Sequence, residues 1–303
     1  MNDRSHLNTT LLAVLACLLW STAFVGIKIG LAYTTPLNFA GLRFFIAGAM
    51  VIPFAGGPRA LKATLFRHVR FIVTVSLLST VFVYAFFYLG ISLGTASTTA
   101  IVVGSGPLFV AVMAHLAMPN DKLTIRKSVS LLLGISGIAA IALSRYGDTD
   151  ADSRALLSVF LLILANISGG IGNILIAKSE RDISPLVLSA LQLVLGGVLL
   201  FILSLFAEPV DVSIKPLSYY GALTYLSGLS AGAMTIWFIV LTRPGVKVSE
   251  INIWKFLIPV SGAILSWTLL DNDSPDTGQI IGMTAIAASL VLMHLRLSSK
   301  APH

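Results

Sequence analysis

Residues Leu186 to Phe206 read LVLSALQLVLGGVLLFILSLF, an apolar run without one charged side chain. A hydrocarbon core about 30 Å thick takes roughly 20 residues of helix at about 1.5 Å per residue, so such a run is read as a membrane-crossing helix. Nine other stretches read the same way: Leu11 to Leu31, Leu37 to Pro53, Val69 to Leu89, Ala96 to Ala117, Ser128 to Ser144, Leu156 to Ala177, Leu217 to Leu241, Ile251 to Leu270, and Gly278 to Leu295. The second, fifth and tenth spans in chain order are the shortest. The longest connection, the 15 residues from Phe54 to His68, leaves no room for a separate aqueous domain. Composition agrees: 11% charged residues and a mean hydropathy of +0.92 are far from a soluble domain, where about a quarter of residues are charged.

A net charge of +7 could suit a nucleic-acid binder, but the placement of the basic residues argues for a different partner, the lipid bilayer. With the amino terminus in the cytoplasm, the inner segments hold 14 of the 20: Arg4; Arg59, Lys62, Arg67 and Arg70; Lys122, Arg126 and Lys127; Lys178 and Arg181; Arg243 and Lys247; Arg296 and Lys300. The outer loops hold only Arg145, Arg154 and Lys215, and the spans hold Lys28, Arg43 and Lys255. This bias predicts a multi-pass protein of the plasma (bacterial inner) membrane with both termini cytoplasmic, and no nucleic-acid partner. The single cysteine, Cys17, excludes an intramolecular disulfide and a cysteine-based zinc site and is read as a buried thiol. The string Val14-Leu15-Ala16-Cys17 imitates a lipoprotein signal, but the apolar run continues through Trp20, Phe24 and Ile29, so it is read as a span. No metal or cofactor is expected.

Outward from Leu186 the chain repeats itself. Ser184-Pro185-Leu186 answers Thr35-Pro36-Leu37, and polar Gln192 and Arg43 each follow seven residues after the proline. Both prolines suit a first helical turn, where no backbone donor is lost. Gly104-Ser105-Gly106-Pro107-Leu108-Phe109 answers Leu257-Ile258-Pro259-Val260-Ser261-Gly262, and Asp121 and Asp273 each stand fourteen residues after their proline. The halves are residues 1–147 and 148–303, with five spans each. Five is odd, so the second half enters the membrane from the opposite side; the expected fold is all-α, ten helices in two inverted five-helix repeats. Secondary transporters recurrently use this construction.

These residues resemble the drug/metabolite transporter superfamily, specifically its EamA branch, over about Leu11 to Leu297. The carriers of the resemblance are Leu19-Trp20-Ser21-Thr22-Ala23-Phe24, Leu42-Arg43-Phe44, and Thr95-Ala96-Ser97 leading to Pro107-Leu108-Phe109. The family usually has Gly-Glu after the fourth and ninth spans, where this chain has Asn120-Asp121 and Asn272-Asp273. Within the branch the overall pattern is most similar to the YddG-type exporters of aromatic amino acids. The resemblance implies a ten-helix carrier that exports small metabolites.

Charged and polar residues inside a membrane are costly and mark candidate sites. Lys28 lies deep enough along its span to emerge near the far surface by snorkelling. Arg43 and Lys255 lie roughly 10 Å inside theirs. Arg43 reads equally as a helix-locking cation or a substrate contact; Lys255, beside Trp254 and four residues before Pro259, reads as a substrate contact. Trp20, Tyr84, Phe87, Tyr88, Trp237 and Phe238 supply aromatic surface, some of it as interface belt. Aromatic faces beside a lysine suit a zwitterionic amino acid, the ammonium holding the carboxylate; with the lysine turned away they suit a flat organic cation. Thr98, Thr99, Ser105, Asn166, Asn173 and Gln192 can bind substrate or join helices. Gly169, Gly170, Gly228 and Gly232 are read as close-packing surfaces.

Pro107 and Pro259 are the expected hinges of an alternating-access cycle. Glu250 is expected to pair with Lys247, and both proton antiport and exchange remain open. An intramembrane enzyme would need paired acids within spans, a His-Glu-x-x-His helix, or a base paired with a serine nucleophile; the first two are absent, and His115 near a span end is a weak candidate for the third. A channel-like pore is the rival class. Oligomeric state is not legible.

Overall fold

The structure is a computed structural model that describes residues 3–93, 102–143, 153–179, 181–209, 213–258, 260–261, 264 and 277–294. The elements are α1 (Asp3–Leu31), α2 (Pro36–Val51), a 3-10 turn (Ile52–Ala55), α3 (Gly57–Ser76), a π segment (Leu77–Val81), α4 (Phe82–Leu93), α5 (Gly106–Ala117), α6 (Ile125–Leu143), α7 (Ser153–Ala177), α8 (Pro185–Ala207), α9 (Leu217–Leu241), α10 (Val248–Ile253), a second 3-10 turn (Trp254–Phe256) and α11 (Thr277–His294). Among the described residues all regular structure is helical. Among the described residues five helical runs are long and apolar enough to cross a bilayer: Pro36–Ala55, Gly57–Ile91, Leu156–Ala177, Pro185–Ala207 and Leu217–Leu241; shorter apolar runs cover Leu7–Ala23, Val102–Ala117 and Ile280–Met293.

Pro36 and Pro185 stand in the first turns of α2 and α8, as the sequence predicts. The exposed amides of α2 gain a cap from the far end of α8: Glu208 accepts hydrogen bonds from the backbone N–H groups of Leu37 (2.8 Å) and Asn38 (3.0 Å). The stretch from Phe54 to His68, expected to be a loop, is largely helix. Its helix formers place buried Leu61 inward and Arg59, Lys62 and Arg67 outward, and the helix breaks direction at His68 (φ −128°, ψ 26°) before continuing as the third span.

Small residues set how closely these helices approach. A side chain at Gly48 would meet the amide of Val194 and the carbonyl of Ala190; one at Gly197 would meet the amide of Phe45 and the carbonyl of Gly41. Gly48, Gly41 and Phe45 map onto Gly197, Ala190 and Val194 at the offset that separates Pro36 from Pro185, so the two sets of contacts are one set with the helices exchanged. Rising numbers on α2 meet falling numbers on α8, so this pair is antiparallel. The same holds for α6 and α11, where Gly137 faces the Gly282 carbonyl and Ser130 faces Ser289. Around these pairs α1 packs on α9, α4 on α7, and α5 on α10.

Gly170 packs beneath Val110 and Met113, as a close-packing glycine should. Gly228 and Gly232 do not. Among the described residues, nothing lies within 4 Å of a side chain added at either.

Candidate functional site

Trp20 of α1 and Trp237 of α9 meet with ring centroids 5.3 Å apart, tilted by 57°. The Lys255 ammonium, on the 3-10 turn after α10, lies 4.7 Å from the Trp237 centroid and 5.8 Å from that of Trp20. Both distances fall inside the roughly 6 Å over which a ring quadrupole attracts a cation. Among the described residues no carboxylate pairs with Lys255. Cys17, one turn before Trp20, is fully buried, as expected.

Trp237 is held from behind. Its indole N–H donates to Asn173 Oδ1 of α7 (3.2 Å), Asn173 Nδ2 donates to Asn252 Oδ1 of α10 (3.0 Å), and Asn252 Nδ2 donates to the Val248 carbonyl (2.8 Å). Both asparagines are buried, and the chain of bonds satisfies the indole and most amide atoms that burial would otherwise strand. The tight turn at Trp254–Phe256 then aims Lys255 at the rings.

A second group surrounds Arg43, which is 2% exposed. Its Nε donates to Ser230 Oγ of α9 (2.8 Å), and its guanidinium lies 5.1 Å from the Phe44 ring. Tyr84 meets Phe44 at 4.3 Å between centroids, and Phe87 meets buried Tyr88 edge-on at 5.4 Å. Gln192, seven residues after Pro185 as Arg43 is after Pro36, accepts at Oε1 a hydrogen bond from Thr80 (2.6 Å). Arg43 thus joins α2 to α9, and Gln192 joins α8 to the π segment before α4.

The two groups border one continuous core. Trp20, Tyr84, Phe87 and Trp254 pack against the cluster that contains Phe44, Tyr88 and Trp237. Trp254 also borders a second cluster, around Phe256. Asn166 stands apart from both groups, donating to the Val102 carbonyl (2.5 Å) at the break before α5. That break changes how Pro107 acts: a turn at Ser105 interrupts the helix, and Pro107 occupies the first turn of the segment that follows. Ser105 Oγ (2.6 Å) and the Ser105 N–H (3.2 Å) also donate to the Val102 carbonyl, so this one oxygen gathers the donors at the break. Thr99 and Pro259 lie outside the described residues.

Sequence reasoning passed over an ionic cluster beyond these cores. Asp121, 1% exposed, receives Lys127 Nζ (2.5 Å), the Ser249 amide (2.8 Å) and the Ser249 hydroxyl, tying the α5–α6 connection to the start of α10. Burial works to raise the Asp121 pKa, but the hydrogen bonds from Lys127 and Ser249 and the lysine charge outweigh it and hold the carboxyl below its ordinary range. Glu250 pairs with Lys247 (3.2 Å), as expected, and also lies 3.6 Å from Lys127. The missed signal for Asn252 was a polar residue within an apolar stretch, two positions before Trp254.

The family model for the EamA-like transporter family matches residues 7–143 and again 156–295. This chain belongs to the EamA-like transporter family. Its relatives include the uncharacterised transporter YoaV of Bacillus subtilis, 25% identical over 256 residues that span 84% of this chain and 85% of YoaV. An uncharacterised transporter of Archaeoglobus fulgidus is 26% identical, covering 96% of this chain and 98% of its own length. A protein of Escherichia coli K12 named "Probable amino-acid metabolite efflux pump" is 25% identical, covering 95% and 93%. A solved crystal structure superposes with a TM-score of 0.78 at 19% identity over 95% of this chain and 96% of that one, a likeness of fold. The chain is thus a membrane-embedded transporter of the EamA family.

Proposed function

We propose that this EamA-family transporter is a secondary carrier of the bacterial inner membrane that exports amino acids with aromatic or large apolar side chains. Lys255 over the paired rings of Trp20 and Trp237 carries this reading. A cation that has no carboxylate partner among the described residues, held against two aromatic faces, offers what a zwitterionic aromatic molecule presents in complementary form: a carboxylate for the ammonium and a flat body for the rings. The efflux pump named among the relatives lends support to an amino-acid cargo. Specificity like that of the YddG-type aromatic exporters is the finer form of the same reading.

The carrier works by alternating access between two oppositely threaded five-helix repeats, residues 1–147 and 148–303, ten spans in all. Two observations support this. The family model matches twice, once in each half. The antiparallel pairs α2 with α8 and α6 with α11 join corresponding helices of the two halves, and exchanging the halves turns the α1–α9 pair into the α4–α7 pair. In this scheme Pro107 and Pro259 are hinges, Trp254, Tyr84, Phe87, Tyr88 and Thr99 line the path, and Arg43 and Asn166 hold its walls. Both termini lie in the cytoplasm, consistent with the basic residues of the inner segments.

Substrate binding to the purified protein, read by tryptophan fluorescence, tests the site. Phenylalanine should bind, whereas phenethylamine, which lacks only the carboxylate, should bind at least tenfold more weakly. Equal binding of the two would remove Lys255 from the recognition of substrate.

A further inference from the structure

The contact between Lys255 and the two tryptophans has a second side. We propose that the Lys255 ammonium occupies the cation subsite of the Trp20–Trp237 ring pair in the unloaded carrier and thereby excludes organic cations, making Lys255 the residue that selects carboxylate-bearing substrates over cationic ones. This deepens the reading given above and rests on it for the identity of the transported substrate.

Two tilted indoles 5.3 Å apart offer faces that a flat or quaternary cation would favour, and in this state they are closed off, Trp237 being 2% exposed. Here the surface is already filled from within, by an ammonium 4.7 Å and 5.8 Å from the ring centroids. The occupant is tethered, so it competes at a high effective concentration that a free cation must overcome. A free cation must also approach a fixed charge of its own sign, in a place where among the described residues no carboxylate offsets that charge. A substrate carboxylate does the opposite. It draws the ammonium from the rings into a charge-assisted hydrogen bond, and the vacated faces then accept the substrate's aromatic body. The bond from Asn173 to the Trp237 indole keeps that ring in place while the lysine moves, so the subsite survives the departure of its occupant.

The experiment compares the full-length wild type with Lys255→Met, Lys255→Gln and Lys255→Arg, using phenylalanine and the flat cation 1-methyl-4-phenylpyridinium as probes of tryptophan fluorescence and of flux in proteoliposomes. In Lys255→Met and Lys255→Gln the cation should bind at least tenfold more tightly than in the wild type, while phenylalanine weakens at least tenfold. Lys255→Arg, which keeps a tethered cation on the rings, should still exclude the probe. Adding Trp237→Leu to Lys255→Met should cancel the gain. If Lys255→Met does not yield a monodisperse protein, Lys255→Gln decides. The proposal is overturned if a folded neutral variant gains no cation binding, or if the wild type already binds the cation as well as the variants do. Loss of phenylalanine binding without a gain of cation binding would defeat the exclusion while keeping the substrate reading. A gain of cation binding in a protein that never binds phenylalanine would do the reverse.

Discussion

Ser130 and Ser289 exchange hydrogen bonds: each hydroxyl donates to the other's backbone carbonyl at 2.6 Å, with the two Oγ atoms 3.2 Å apart. Neither side chain reaches lipid; both are fully buried between α6 and α11. Reciprocity of this kind is what the antiparallel packing of α6 on α11 allows.

Ser130→Ala and Ser289→Ala should therefore each lower stability by about 0.5–1 kcal/mol, the range for helix–helix hydrogen bonds in membranes. The double variant should cost less than the two losses added together, since each single change already loosens the shared contact. Thermal unfolding of the detergent-solubilised protein measures the cycle; simple additivity would show two independent bonds.

The glycine contacts predict a matched pair and a control. Gly48→Val and Gly197→Val meet equivalent backbone atoms of the opposing helix and should impair folding to a similar extent, by about 2 kcal/mol or more for an overpacked interface. Gly221→Ala, whose added methyl meets nothing within 4 Å among the described residues, should leave stability unchanged or slightly raised. The yield of monodisperse protein and the midpoint of thermal unfolding report both.

Asp121 gives the fold a pH dependence with a definite sign. Its carboxyl is held below the ordinary value of 3.8, so its contribution is fully present above that value and is lost as pH falls through the lower, folded-state pKa. Wild-type stability should drop on acidification below about pH 4, while Asp121→Asn, already without the charge, should lose less over that window. At neutral pH the variant should be less stable by about 2 kcal/mol, because buried Lys127 loses its nearest charged partner and keeps only Ser249 and the more distant Glu250. Unfolding midpoints between about pH 3 and 7 provide the test.

Hydropathy made the long apolar helices legible, because a bilayer demands length and lack of charge from every span. Pro36 and Pro185 were legible as helix starts because a proline's missing donor costs nothing there. The helix through Leu61 was not: its charged outer face lowers the average hydropathy, and only its inward residues mark it. Trp20, Trp237 and Lys255 could be named as candidates from their depth, yet their meeting depends on how α1, α9 and the turn after α10 pack, which no local pattern encodes. Asn252 and the burial of Asp121 stayed hidden for the same reason. Gly228 and Gly232 meet no neighbour among the described residues, because a small residue marks a tight contact only where another helix packs on it.

Counterflow of radiolabelled phenylalanine in proteoliposomes tests the central claim most directly. A carrier with one central site should show saturable uptake that accelerates when unlabelled phenylalanine is loaded on the opposite side, and Lys255→Gln should reduce that flux at least tenfold. Uptake that neither saturates nor responds to substrate on the far side, or that is indifferent to Lys255, would contradict it.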